Sequence, residues 1–143
     1  MIFSLSFYIF SLFISFFDCK KRLIPNQLLI TLTVLLIIFG YYENNLNLYS
    51  FAISLSILIF FVIIIIAIPR MILGGGDIKY FMVVAIYLPP LYFPLFLLFS
   101  GIAQFIFLFY FQKIKKRRTA PMGPAIFLAV VVTDIINYLG LYL

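Results

Sequence analysis

All ten lysines and arginines of this 143-residue chain fall into three clusters, and long apolar segments fill the space between them. The clusters are Lys20-Lys21-Arg22, Arg70 with Lys79, and Lys113 through Arg118. The apolar segments run Met1 to Phe17, Ile24 to Tyr42, Tyr49 to Ile68, Ile78 to Leu88, Leu91 to Phe111 and Pro121 to Leu143. A helix that crosses a bilayer needs ~20 such residues. The intervening loops, Tyr41 to Tyr49 and Leu88 to Leu91, hold no basic residue. Because Lys and Arg mark the cytoplasmic loops of membrane proteins, this alternation predicts an even number of crossings between clusters and both termini outside. The expected fold is all-α: a polytopic membrane protein, one membrane-embedded domain over residues 1–143, built as a bundle of six transmembrane helices.

Composition closes the other classes. With 66% hydrophobic and 10% charged residues the chain is not a soluble globular protein. The net charge of +6 sits in short loops, so it reads as orientation and contact with anionic lipid head groups, not nucleic acid. Cys19 is the one cysteine and there is no histidine. No intramolecular disulfide, thiolate zinc site or Ser-His or Cys-His chemistry is therefore available, and no metal or cofactor is expected. The first segment lacks a basic start and an Ala-x-Ala cleavage site, so it reads as a retained helix.

The fourth segment is short. Ile78 to Leu88 covers about 16 Å at 1.5 Å per residue, against a core about 30 Å thick, and Pro89-Pro90 opposes any extension. Ahead of it stands Gly74-Gly75-Gly76-Asp77-Ile78-Lys79. The expected repair is a Gly-rich loop that dips into the membrane before helix 4, its glycines permitting positive φ and close approach; a re-entrant hairpin of segments 4 and 5 is the competing geometry. Asp77 then lies at membrane depth, where a charge costs about 3 kcal/mol and signals function.

The chain has four acids. Glu43 falls in the polar outer loop and is expected to be solvated. Asp134 lies about 20 Å along helix 6 from its cytoplasmic end, where Thr133 and Asn137 are expected to give it polar company in a structural role. Asp18 ends helix 1 on the same side as Asp77. It shares a helical stripe with Ser4, Ser11 and Ser15, which should face the bundle interior. Two carboxylates on one side of a bundle suit aspartic hydrolysis: sharing one proton, the ionised member activates water and the protonated member donates to the peptide carbonyl.

These residues resemble the type IV prepilin peptidases, membrane aspartic peptidases with an Asp-x-x-x-x-x-Ile-Pro-Asn pattern near a cytoplasmic helix end and a second Asp closing a Gly-x-Gly-Asp motif. The matches are Asp18 through Ile24-Pro25-Asn26, and Gly74-Gly75-Gly76-Asp77. Pro121-Met122-Gly123-Pro124 opens the last helix as a Pro-x-Gly-Pro segment does in the family. The resemblance implies Asp18 and Asp77 as catalytic residues and a prepilin as substrate, a basic leader followed by a hydrophobic helix and cut at the cytoplasmic face of the cell membrane. Bifunctional members also N-methylate the new terminus through a domain with paired cysteines; with one cysteine, this chain is expected to cleave only. It looks most like the compact Tad/Flp-type enzymes, with archaeal preflagellin peptidases as the near alternative. Around the pair, Gly74, Gly75, Gly76, Pro25 and Asn26 are expected to shape the pocket, with Asn26 able to cap helix 2. Lys79 reads as a snorkelling anchor that could also position Asp77, and Cys19 as a bystander. From another class, a small cation transporter or channel could use the same carboxylates to line a path, but the inverted repeats of such proteins are not visible.

Overall fold

The computed structural model describes residues 2–21, 23–67, 74–114, 116 and 120–141. Arg22, Arg70, Lys115, Arg117 and Arg118 of the basic clusters lie outside the described residues. The described residues form six α-helices: α1 (Ile2–Lys21), α2 (Asn26–Tyr42), α3 (Leu48–Ala67), α4 (Gly75–Tyr87), α5 (Phe93–Lys113) and α6 (Gly123–Leu139). A single 3-10 turn, Pro90–Tyr92, joins α4 to α5, and no strand occurs among the described residues. Each helix falls on one of the six apolar segments.

Prolines punctuate the chain. Pro25 stands just ahead of α2, its carbonyl accepting from the N–H groups of Leu28 and Leu29; Pro89 and Pro90 follow the end of α4, where a further helical turn would lose hydrogen bonds. α6 ends at Gly140, whose φ of 63° is the left-handed conformation that closes a helix at least cost for glycine.

The helices pack as consecutive pairs, α1 with α2, α3 with α4 and α5 with α6, and α1 closes the arrangement against α6. The short helix α4 is central, touching α2, α3 and α6. From Tyr80 to Leu88 only Met82 keeps appreciable exposure, as expected of a helix apolar on all sides. Rings lock it in place: Phe7 of α1 stacks on Tyr87 with centroids 3.9 Å apart, a contact type worth about 0.5–1.5 kcal/mol.

Around an apolar core the exterior is apolar as well, unlike that of a water-soluble bundle, and small polar side chains lie between the helices. Ser6, Ser11, Ser15, Asp18, Ser50, Ser54, Ser100 and Thr133 are buried, whereas large apolar side chains such as Phe16, Ile30, Phe60, Phe105 and Ile106 are exposed. Small hydroxyl residues between helices are what lipid-embedded packing favours, since apolar surface there has nothing to gain by leaving lipid. Among the described residues two helical stretches, Ile2–Lys21 and Pro90–Lys113, are long and apolar enough to cross a membrane, and shorter apolar stretches run over Asn26–Tyr42, over Leu48–Ile64 within α3 and over Gly123–Leu139.

The glycine stretch departs from expectation. Gly74 precedes the helix with φ −64° and ψ 123°, while Gly75 and Gly76 already form the first turn of α4. Among the described residues the only glycine with positive φ is Gly140. Of the expected loop, Gly75 and Gly76 are therefore helix and Gly74 stands extended just ahead of it, while residues 68–73 lie outside the described residues. The glycines serve by close approach: a Cβ on Gly76 would come within 3.0 Å of Ile24 Cβ. That contact seats the first turn of α4 on the stretch leading to Pro25.

Candidate active site

Helical periodicity carries Asp18 inward. Ser11, Ser15 and Asp18 repeat at four and three residues on α1 and are all buried, with Ser4 half-buried on the same stripe. Against the stripe stands Tyr80 of α4, fully buried, its hydroxyl bonded to Ser11 Oγ.

The start of α6 completes the surroundings of Asp18. The backbone N–H of Gly123 donates to Asp18 Oδ2 at 2.6 Å, and Ser15 Oγ donates to the Gly123 carbonyl at 3.2 Å. The first N–H groups of a helix lack partners within it, so a helix start is a natural seat for an anion. Glycine allows this close approach, because a Cβ on residue 123 would lie 3.0 Å from both Cβ and Oδ2 of Asp18 and would press on the carboxyl.

Asp77 sits in the first turn of α4, its N–H donating to the Gly74 carbonyl at 3.0 Å. Its carboxyl folds back over Gly74, with Oδ2 only 2.8 Å from where a Cβ would stand on that residue. The two carboxyls are brought together: Asp18 and Asp77 line one cavity of about 320 Å³ with Leu23, Ile24, Asn26, the three glycines and Lys79. Residues 18 and 77 thus meet across three helices, at the end of the bundle that also carries Lys20, Lys21 and Lys79.

The sequence model of the type IV leader peptidase family matches residues 5–109. The chain belongs to that family. The match encloses Asp18 and Asp77 and ends within α5, short of Gly123. No curated protein and no solved structure matches the chain. Membership makes this a leader-peptidase-like protease and favours the peptidase expectation over transport.

Other expected residues take different roles in this leader peptidase. Asn26 does not cap α2: no side-chain cap bond forms there, and its Oδ1 instead accepts from Lys79 Nζ at 3.0 Å. Lys79 is thereby a strut between the first turns of α2 and α4. Glu43 is not merely solvated; its Oε1 accepts from the N–H groups of Ile2 and Phe3 at 2.7 and 3.3 Å and so caps the start of α1. Cys19 is exposed, beside the inward-facing Asp18.

Asp134 is bonded to tyrosines and not to Thr133, while Asn137 lines the same cavity beside it. The hydroxyls of Tyr8 and Tyr87 both donate to its Oδ2, the latter at 2.7 Å, while Thr133 turns to the Ala129 carbonyl. It lines a cavity of about 490 Å³ with Asn45, Asn47 and Pro89, at the other end of the bundle from Asp18.

Gly123, Ser15 and Tyr80 are the residues to which reading the sequence gave no role at the site, although Gly123 stood in the Pro-x-Gly-Pro segment and Ser15 on the stripe of Asp18. The Pro121-Met122-Gly123-Pro124 pattern was a sufficient signal for the first. For Tyr80, the three-residue step from Asp77 on one helix face was available.

Proposed function

We propose that this chain is a membrane aspartic endopeptidase that removes the basic leader of type IV, Flp-type prepilins at the cytoplasmic face, with Asp18 and Asp77 as its acid and base. The observation that carries the reading is the shared cavity of the two carboxyls, reached from α1 and α4. One ionised carboxylate takes a proton from water, whose oxygen attacks the scissile carbonyl. The other carboxylic acid protonates the carbonyl oxygen. Collapse of the tetrahedral species breaks the C–N bond, the amine takes back a proton, and the products are a leader carboxylate and a new amino terminus. The cavity's 320 Å³ exceeds by about tenfold the ~30 Å³ of one water, leaving room for an extended peptide beside the nucleophile.

A six-crossing bundle accounts for the apolar exterior. It also accounts for the gathering of Lys20, Lys21 and Lys79 at the end that holds both aspartates, which positive-inside orientation makes cytoplasmic. The 13 residues of α4 reach about 20 Å; its first turn and Asp77 then lie below the membrane surface in a wet cavity, the setting in which an intramembrane carboxylate is tolerated. Cleavage without N-methylation is part of this reading, since these residues hold one cysteine and the bifunctional enzymes use a pair.

Incubating the purified protein in lipid with a prepilin from the same genome tests the reading. The expected product is a pilin shortened by its basic leader, with an unmethylated amino terminus by mass spectrometry. An uncut prepilin under conditions where the protein is folded sinks the peptidase assignment; a methyl group dependent on this protein overturns the cleavage-only part.

A further inference from the structure

A second concavity begins where the catalytic cavity ends. Asn26 and Lys79 line both, and their hydrogen bond is the sill between the two. From that sill the groove, of about 440 Å³, runs along α2 and α4. On α2 it is walled by Ile30, Thr33 and Val34, and on α4 by Met82, Val83 and Ile86, spacings that put each set on one helix face. Ser54 is its contribution from α3. Both α2 and α3 pack on α4, which makes α4 the floor. The wall is apolar in effect, since the Thr33 hydroxyl is spent on the Leu29 carbonyl at 2.8 Å.

We propose that this groove seats the hydrophobic helix of the prepilin, holding it so that the peptide preceding the helix crosses the sill into the cavity of Asp18 and Asp77. The proposal rests on the peptidase reading above and adds where the substrate is gripped. Continuity is the first argument: a substrate with a basic leader and an apolar helix needs a polar cavity and an apolar trough in register, and the two meet at Asn26 and Lys79. Dimensions are the second. From Asn26 to Val34 the groove follows nine residues of α2, about 12 Å or two helical turns. Shape is the third, because helices in lipid associate through close fit and small side chains, not by escaping solvent, and Ser54 and Thr33 are the small residues that give the trough its depth. Docking of this kind fixes the cleaved bond at a set distance from the start of the substrate helix, whatever the leader's length.

Cross-linking tests it without requiring turnover. In a Cys19→Ser, Asp77→Asn background, single cysteines are introduced by Ile30→Cys or Val34→Cys, positions 63% and 49% exposed and hence tolerant of change. Controls are Leu128→Cys on α6 and Phe105→Cys on α5, which are also exposed. Each is co-produced with a prepilin bearing one cysteine in the first two turns of its hydrophobic helix, oxidised, and checked for a single monodisperse species in detergent. Enzyme–prepilin disulfides at Ile30→Cys and Val34→Cys should exceed those at the controls by at least about tenfold, as a docked helix holds the thiols at high effective concentration. Equal or greater yield at Leu128→Cys or Phe105→Cys overturns the proposal. So do enzyme–enzyme adducts through the groove positions that exclude the prepilin, which would mean a second copy covers it. Failure of every position to link while the unmodified enzyme cleaves the same prepilin rejects the groove and leaves the peptidase standing. Groove adducts with no cleavage by the unmodified enzyme support the groove and reject the peptidase.

Discussion

The backbone N–H of Gly123 donates to Oδ2 of Asp18 at 2.6 Å, across 105 residues of sequence. A helix start thus holds one of the two candidate catalytic carboxyls, while the other rides on a helix start of its own. Ser15, one turn before Asp18, holds the carbonyl of the same glycine, so both sides of residue 123 are fastened to α1.

That relationship predicts the effect of a single methyl group. Gly123→Ala puts a Cβ 3.0 Å from Cβ and Oδ2 of Asp18 and 3.4 Å from its Cγ, so the carboxyl must shift by a few tenths of an ångström. Misplacing a reacting group by about an ångström costs on the order of a hundredfold, and cleavage should therefore fall by roughly tenfold or more. Gly101→Ala is the control: nothing lies within 4 Å of its would-be Cβ, and within a helix alanine is favoured by up to about 1 kcal/mol. Initial rates on a prepilin check both, and normal turnover by Gly123→Ala would show that its contact does not position Asp18.

A different outcome is expected at Asp134. Tyr8 and Tyr87 both donate to its Oδ2, tying α1, α4 and α6 together at the end remote from Asp18. Asp134→Asn keeps an acceptor oxygen and should retain most cleavage per folded molecule. Asp134→Leu removes it and takes from both hydroxyls the acceptor they share, at about 1–3 kcal/mol for any donor left unsatisfied. Melting in detergent should accordingly drop more for leucine than for asparagine. Loss of cleavage in Asp134→Asn with unchanged melting would instead bring Asp134 into the chemistry.

The contrast between these sites shows what the sequence carries. Helix positions were legible because each apolar segment is bounded by proline, charge or glycine, and the inward turn of Asp18 was legible because Ser11 and Ser15 share its stripe. Partners were not. Nothing in local pattern says that Tyr8 will meet Asp134, 126 residues away, or that Glu43 will cap α1. Nor does propensity place Gly75 and Gly76 in a helix. Glycine is among the poorest helix formers, and here packing against Ile24, where a Cβ would collide, outweighs that preference.

The decisive prediction concerns Asp18 and Asp77 together. Asp18→Asn and Asp77→Asn should each abolish leader cleavage, since asparagine nearly preserves shape but removes the ionisable group on which proton transfer depends. Neither change should unfold the protein, and the Gly123 N–H retains an acceptor oxygen in Asp18→Asn. Because the two carboxyls line one cavity and act as one unit, the losses should not add: the double variant should be no slower than the slower single one. Rates of prepilin cleavage over hours, normalised to folded protein by gel filtration, provide the measurement. Substantial cleavage by either single variant would remove the aspartic mechanism. Two partial losses that multiply in the double variant would mean that the residues act independently, and the shared-proton pair would have to be abandoned.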